Sequence, residues 1–177
     1  DNILENAGVV QQALDAGVAQ VWSDWCAQDP AKRQGQILLN APMLHVEFDT
    51  EHLRRVLVNL LDNALRYMGP HEDSLQVQTR TSVTGQITLQ VWSDGAPMDK
   101  SVERHLFEPF FSSESRSSGL GLYICRELCQ RHGASISYQR THRTTARGNT
   151  GGNAFTVAFR RTTRPQEAAT LFDSIVI

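Results

Sequence analysis

Asn59, Asn63 and Arg66 fall about one helical turn apart in the stretch NLLDNALRY. Asparagine serves a merely wet helix surface poorly; Lys or Glu does better there. Two amide groups beside a guanidinium suit another task. An amide carbonyl is a hard ligand for Mg2+, and Mg2+ bridges nucleotide phosphates. A solvated helix face is the plainer account, and spacing alone leaves both open. A second stretch, RSSGLGLYICREL, puts Gly119 and Gly121 at the mouth of a helix, with Leu120 and Leu122 between and after them. Helix-start N–H groups and the positive helix end attract phosphate there, and glycine lets backbone approach closely. Arg116, just upstream, is a candidate phosphate clamp. Its plainer alternative is a solvated arginine before a flexible hinge. The glycines match neither of the common phosphate loops. No G-x-x-x-x-G-K-[ST] occurs, and Ile124 stands where a third Rossmann glycine would be. In a third stretch, VWSDGAPM, an apolar strand runs into Asp94-Gly95. Asp-Gly is a common turn, so this is either an ordinary turn or the floor of a pocket.

The totals narrow the classes. A chain of 177 residues suffices for one good core plus an appendage. With 40% hydrophobic residues, 20% charged and a net charge of −2, there is no basic field for nucleic acid and no acidic tail. No apolar run approaches membrane-span length and no signal peptide opens the chain. The opening, DNILENAG, reads as the middle of a longer protein. Cys26, Cys125 and Cys129 form no C-x-x-C pair, which argues against zinc and against a disulfide framework. Cys125 and Cys129 read as two small buried side chains one turn apart, and a reducing cytoplasm fits.

The elements that must position these residues follow from periodicity. Ile3, Leu4, Ala7 and Val10 suggest the tail of a helix, broken at Gly17. Val18, Val21, Trp22 and Trp25 predict a second helix. GQILLN and MLHVEFD read as strands. Residues 50–68 are the clearest helix, with Thr50 as cap and Gly69-Pro70 as its end. Its core face is Leu53, Val56, Leu57, Leu60, Leu61, Ala64 and Leu65; Asn59, Asn63 and Arg66 lie opposite, with Tyr67 at the border. Alternation on both sides of Thr84-Gly85 predicts a hairpin. A poorly patterned stretch runs to Ser118, then residues 119–132 form a helix closed by Gly133. ASISYQRTH and NAFTVAFRR are strands joined by ARGNTGG, read as a flexible loop. Phe107, Phe110 and Phe111 form either a satellite core or the anchor of a lid. The expected fold is an α+β two-layer sandwich, with a mixed sheet of about five strands and three helices on one face. The expected division is a linker or hairpin remnant at 1–17, a domain at 18–162 and a tail at 163–177.

In this order the pieces resemble the catalytic ATP-binding domain of sensor histidine kinases. NLLDNALRY is similar to that family's N box, VWSDGAPM sits at its first glycine box, LFEPFF at its F box, SSGLGL at its second glycine box, and GGNAF at its last. The resemblance covers roughly residues 36–161 and is nearest the nitrogen-regulation and pilus-gene sensor group. It implies the ATP-binding sandwich shared with gyrase, Hsp90 chaperones and MutL, with ATP and Mg2+ as cofactors. Asn63 would hold Mg2+ with Asn59 beside it. Arg66 and Tyr67 would reach toward phosphate and lid, Gly119 and Gly121 would admit phosphate to the helix start, and residues 96–118 would be the lid. The partners implied are a phosphoacceptor helical hairpin of the same protein and a response regulator. The full-length protein would be a homodimer, the domain cytoplasmic, and membrane anchoring in an inner-membrane sensor compatible with it.

Two departures sit together. The family usually reads D-x-G-x-G at the first glycine box, and its first aspartate accepts from the adenine amino group. Here Ser93 takes that position, Asp94 the variable one beside Gly95, and Pro97 replaces the second glycine. The last box usually has Gly-Thr; here Asn153 follows Gly152. Three readings compete. Asp94 rotates in, although adjacent strand residues face opposite ways. Ser93 and Asn153 hold adenine jointly. Or base binding is weak and the domain is a scaffold. The second is preferred, because both changes stay polar. In hydrolysing relatives a glutamate one turn before the metal asparagine activates water; Asn59 cannot act as a base, so ATP would be held for transfer rather than hydrolysed quickly. No phosphoacceptor-like histidine segment occurs; His52, His105 and His132 are expected at the surface. The alternative is an interaction domain, impaired in nucleotide binding, that docks a response regulator. An ATPase or anti-sigma-factor kinase on the same fold is a third option that Asn59 disfavours. The basic stretch RTHRTTARGNTGG is a solvated loop or a dock for an acidic partner.

Overall fold

The computed structural model describes residues 11–111 and 119–160. The strands are β1 (Gln11–Ala13), β2 (Gln36–Leu39), β3 (His45–Glu47), β4 (Leu75–Thr81), β5 (Ile87–Ser93), β6 (Ser135–Thr145) and β7 (Gly148–Ala158). The helices are α1 (Leu14–Gln28), α2 (Thr50–Tyr67), α3 (Lys100–Arg104) and α4 (Gly121–Arg131).

A five-stranded sheet in the order β2-β4-β5-β7-β6 carries the domain. All its pairings are antiparallel except that of β2 with β4. This is the mixed sheet that the order of elements predicts. Alternation does the work: Leu75, Val77, Leu89, Val91, Phe155 and Val157 are buried on the face the helices cover. From α2 come Leu53, Val56, Leu57, Leu60 and Leu61, each no more than 1% exposed. Burial of one such side chain contributes about 1.5–3 kcal/mol, so this stripe outweighs any local preference. The α2 cap is Asp49 rather than Thr50, whose place is the helix's first residue; the Asp49 carboxylate accepts from the His52 amide at 2.9 Å. Gly133, with a φ of 69°, closes α4 as expected.

Several expectations fail. Gly17 does not break a helix; it lies within α1, so the expected boundary between residues 17 and 18 cuts a continuous helix. An interior glycine costs about 1 kcal/mol, less than burial of Leu14 and Val18, both fully buried, returns. The strand in MLHVEFD does not join the main sheet. β3 pairs with β1 in a separate two-stranded ribbon. A short helix, α3, occupies part of the stretch that lacked a pattern. ARGNTGG is not a flexible loop: β6 and β7 stay in register from Ser135↔Ala158 to Thr145↔Gly148, leaving Ala146 and Arg147 as the hairpin tip. Phe107 joins the core edge-on to Phe155, as the satellite-core reading has it, whereas Phe110 is exposed. His132 is buried, not superficial, and its ring nitrogen Nε2 lies 2.8 Å from Nδ1 of His52. Cys125 and Cys129 are both fully buried, as expected. No helix among the described residues is long and apolar enough to cross a membrane. The opening ten residues, the tail beyond residue 160 and Arg116 lie outside the described residues.

Candidate functional site

With its apolar stripe turned into the core, α2 presents Asn59, Asp62, Asn63, Arg66 and Tyr67 to a cavity of about 480 Å³. Ala96, Pro97, Met98 and Asp99, which follow β5, form another wall. Gly119, Gly121 and Leu122 at the start of α4 also line it, with Phe111 and Asn153. The volume is that of a small-molecule pocket. The structure therefore brings together eight of the residues singled out by sequence: Asn59, Asn63, Arg66, Tyr67, Gly119, Gly121, Leu122 and Asn153.

The α2–α4 side is polar. Asn59 donates its amide N–H to the Gly121 carbonyl at 3.4 Å, which couples the two helices and leaves the amide oxygen as the atom suited to a cation. Helix α4 starts without a side-chain cap and has no acidic residue in its first turn, so an anion there meets no carboxylate from the helix itself. A Cβ at Gly119, whose φ is 71°, would fall 2.6 Å from the Phe110 backbone; only glycine fits this approach.

Asp62 was missed by the sequence reading. It lines the cavity, and its Oδ1 accepts from the Trp25 indole at 2.9 Å. Its place on the helix wheel, beside Arg66 at the edge of the face that carries Asn59 and Asn63, was the available signal. Asn59, Asp62 and Asn63 supply hard oxygens of the kind Mg2+ takes. Among the described residues no group of three or more His, Cys, Asp or Glu is placed to hold a metal. A cation here would meet one carboxylate, that of Asp62, with amide oxygens and a ligand's own phosphates beside it; a carboxylate plus phosphates is how Mg2+ commonly binds.

Ser93, Asp94, Gly95 and Leu120 are not among the lining residues. Ser93 is 5% exposed and sits opposite Asn153 in the β5–β7 ladder. Asn153 Oδ1 accepts from the Tyr138 hydroxyl at 2.5 Å and from Arg140 Nη1 at 3.3 Å, while its Nδ2 donates to the Ala96 carbonyl at 2.9 Å. Next to it, Gly152 is obligatory, since a Cβ would lie 2.3 Å from the Trp92 ring. The Asp94 carboxylate accepts from the Gly69 amide at 2.8 Å, the Ser74 hydroxyl at 2.8 Å and Arg147 Nη2 at 2.7 Å. Burial alone would push its carboxyl up; those three donors outweigh burial and hold it below the usual carboxylate range. A side chain at Gly95 would crowd Tyr67 and Asn153.

Residues 48–163 match the family model described as histidine kinase-, DNA gyrase B-, and HSP90-like ATPase. The chain is 34% identical over 129 residues to the sensor protein kinase PilS of Pseudomonas aeruginosa, covering 71% of this chain and 23% of that protein. It is 30% identical over 134 residues to the sensor protein KdpD of Escherichia coli, covering 72% of this chain and 14% of that one. The chain thus spans about a quarter or less of these relatives. In fold it is similar to the catalytic domain of histidine kinase ThkA, with a TM-score of 0.71 and 22% identity over 87% of this chain and 96% of that one. It is similar also to the mycobacterial sensor histidine kinase MprB, with a TM-score of 0.68 and 19% identity over 87% of this chain and 99% of that one.

Proposed function

Because the chain belongs to the family of histidine kinase-, DNA gyrase B- and HSP90-like ATPases, as the catalytic domain of a sensor histidine kinase, we propose that its cavity holds Mg-ATP and presents the γ-phosphate to a histidine on a separate helical hairpin. Relay to a response regulator would follow. One observation carries this reading: the amide face of α2 and the start of α4 meet across a single cavity.

Asn63, Asn59 and Asp62 would hold the metal, Arg66 would meet phosphate charge, and Gly119, Gly121 and Leu122 would admit phosphate to the start of α4. Bound ATP supplies the phosphoryl group, and Mg2+ neutralises its charge. What the chain contributes is position. Asn59 cannot take a proton from water, so loaded nucleotide waits for an external acceptor. Ser93 and Asn153 would be the polar groups nearest the base. Asn153, which lines the cavity, already spends both ends of its amide on the protein. Ser93, its partner across the ladder, lies buried behind the lining, so the base would have to reach it past Asn153. The 34% identity to PilS supports a role in control of type IV pilus genes. A homodimeric, membrane-anchored whole protein is part of the same proposal.

Titration of the chain with a fluorescent ATP analogue, with and without Mg2+, tests the site. Saturable, Mg2+-dependent binding is expected. Labelled ATP plus the isolated hairpin tests transfer. Tight association with a response regulator without any nucleotide binding would favour the interaction-domain alternative, for which the exchange of aspartate for Ser93 is the supporting observation.

A further inference from the structure

The basic stretch at the β6–β7 tip is exposed, yet its Arg147, 37% exposed, is not idle. Arg147 Nη2 reaches Asp94 at 2.7 Å and Asp73 at 3.3 Å, and the Asp73 carboxylate also accepts from the Ala146 amide at 2.7 Å. Only 2% of the Asp94 side chain is exposed, and it lies behind the cavity, tying the chain that leads to Ala96 to the Gly69 that follows α2. Its oxygens hold the amide of Gly69, two residues beyond Tyr67, and the hydroxyl of Ser74. Its own amide donates to the Ser74 carbonyl at 3.0 Å.

The next two residues are pinned in turn. The Gly95 carbonyl accepts from Arg140 Nη1 at 2.6 Å, and the Ala96 carbonyl from Asn153 Nδ2 at 2.9 Å. Three consecutive residues after β5 are therefore fixed by side chains, and Arg140, Arg147 and Asn153 all belong to one hairpin. That hairpin runs five residues past Asn153 to Gly148, a reach of roughly 17 Å. Such length has a mechanical use only if its tip is fastened. Arg147 fastens it.

We infer that Arg147, acting through Asp94, is a positioning residue for nucleotide: it locks the wall that begins at Ala96 against the end of α2. This rests on the reading of the cavity as a nucleotide site. Arg147 does not line the cavity. Its removal frees Asp94 to compete for other donors and lets the wall drift, and misplacement on the ångström scale costs binding and rate steeply.

The test uses Mg2+ with a fluorescent ATP analogue, below the melting temperature of every variant. Arg147→Met and Asp94→Asn should each raise the Kd about tenfold, whereas Arg147→Lys, which keeps the charge, stays within about threefold. Val46→Ala, in the distant β1–β3 ribbon, should lower the Tm and leave the Kd unchanged. Wild type that binds, with Arg147→Met or Asp94→Asn equal to it, overturns the strut alone. A Kd that tracks Tm across all variants, Val46→Ala included, overturns it too. Wild type that never binds overturns the nucleotide reading itself. Should Arg147→Met not fold, Asp94→Asn carries the same comparison.

Discussion

Trp25 and Asp62 are joined across 37 residues of sequence by an indole N–H to carboxylate hydrogen bond of 2.9 Å. Trp25 is 1% exposed, yet its partner faces the cavity, so a buried fluorophore is wired to the site. Addition of Mg-ATP should change tryptophan emission, and Trp25→Phe should abolish the change while Trp22→Phe and Trp92→Phe preserve it. Asp62→Asn keeps an acceptor for the indole and deletes the charge. It should raise the Mg2+ concentration needed for half-saturation about three- to tenfold, read in the same titration.

Asn63→Ala removes an oxygen donor from the cavity without touching the buried stripe. Mg2+-dependent nucleotide affinity should fall at least about tenfold, while the thermal midpoint barely moves. Calorimetry in EDTA and in Mg2+ separates the two components. Equal losses in both would show that Asn63 meets nucleotide and not metal.

The burial of His132, with His52 against it, makes stability depend on pH. Burial comes first among the causes that lower the His132 pKa from its usual 6.5; His52 and Arg131 add to it, and Asp49 opposes. The unfolded chain therefore takes up a proton at higher pH than the folded one. Stability is complete above about pH 6.5 and falls as pH drops through that value toward the folded pKa, by at most about 1.4 kcal/mol per pH unit. His132→Gln should flatten this slope between about pH 7 and pH 5, as measured by urea denaturation.

Burial pushes the Cys125 thiol up to about 12, helped by neighbouring Cys129, and burial pushes Cys129 to about 12 as well. Thiolate is the reactive form. At pH 8 an alkylating reagent should leave both unmodified in the native protein, with full labelling only in denaturant. Labelling of either in the folded state, checked by mass spectrometry, would contradict the packing of α4 on α2.

What was legible in the sequence was local. The α2 stripe, the β4–β5 hairpin and the glycines at the start of α4 announce themselves by spacing, so the polar α2–α4 side of the cavity could be read from a single line of letters. The omissions share one cause: each depends on a distant partner. Asp62 is defined by Trp25, Arg147 by Asp94 53 residues earlier, and His132 by His52 80 residues earlier. No periodicity encodes such pairs. The β1–β3 ribbon escaped for another reason, since three-residue strands are too short to carry a pattern. Composition misled at ARGNTGG, where glycines that suggest slack instead permit close contact, as Gly152 does under Trp92.

The place of β6 at the end of the strand order has a consequence for how the protein behaves in a crowd. Eleven residues long, β6 has a strand on only one side among the described residues, and its other side is the kind of border onto which other chains graft themselves. Arg140, His142 and Arg143 stand along it. Two copies brought border to border would set the arginines of one near those of the other, so the same strand that anchors the hairpin also discourages the molecule from polymerising with itself.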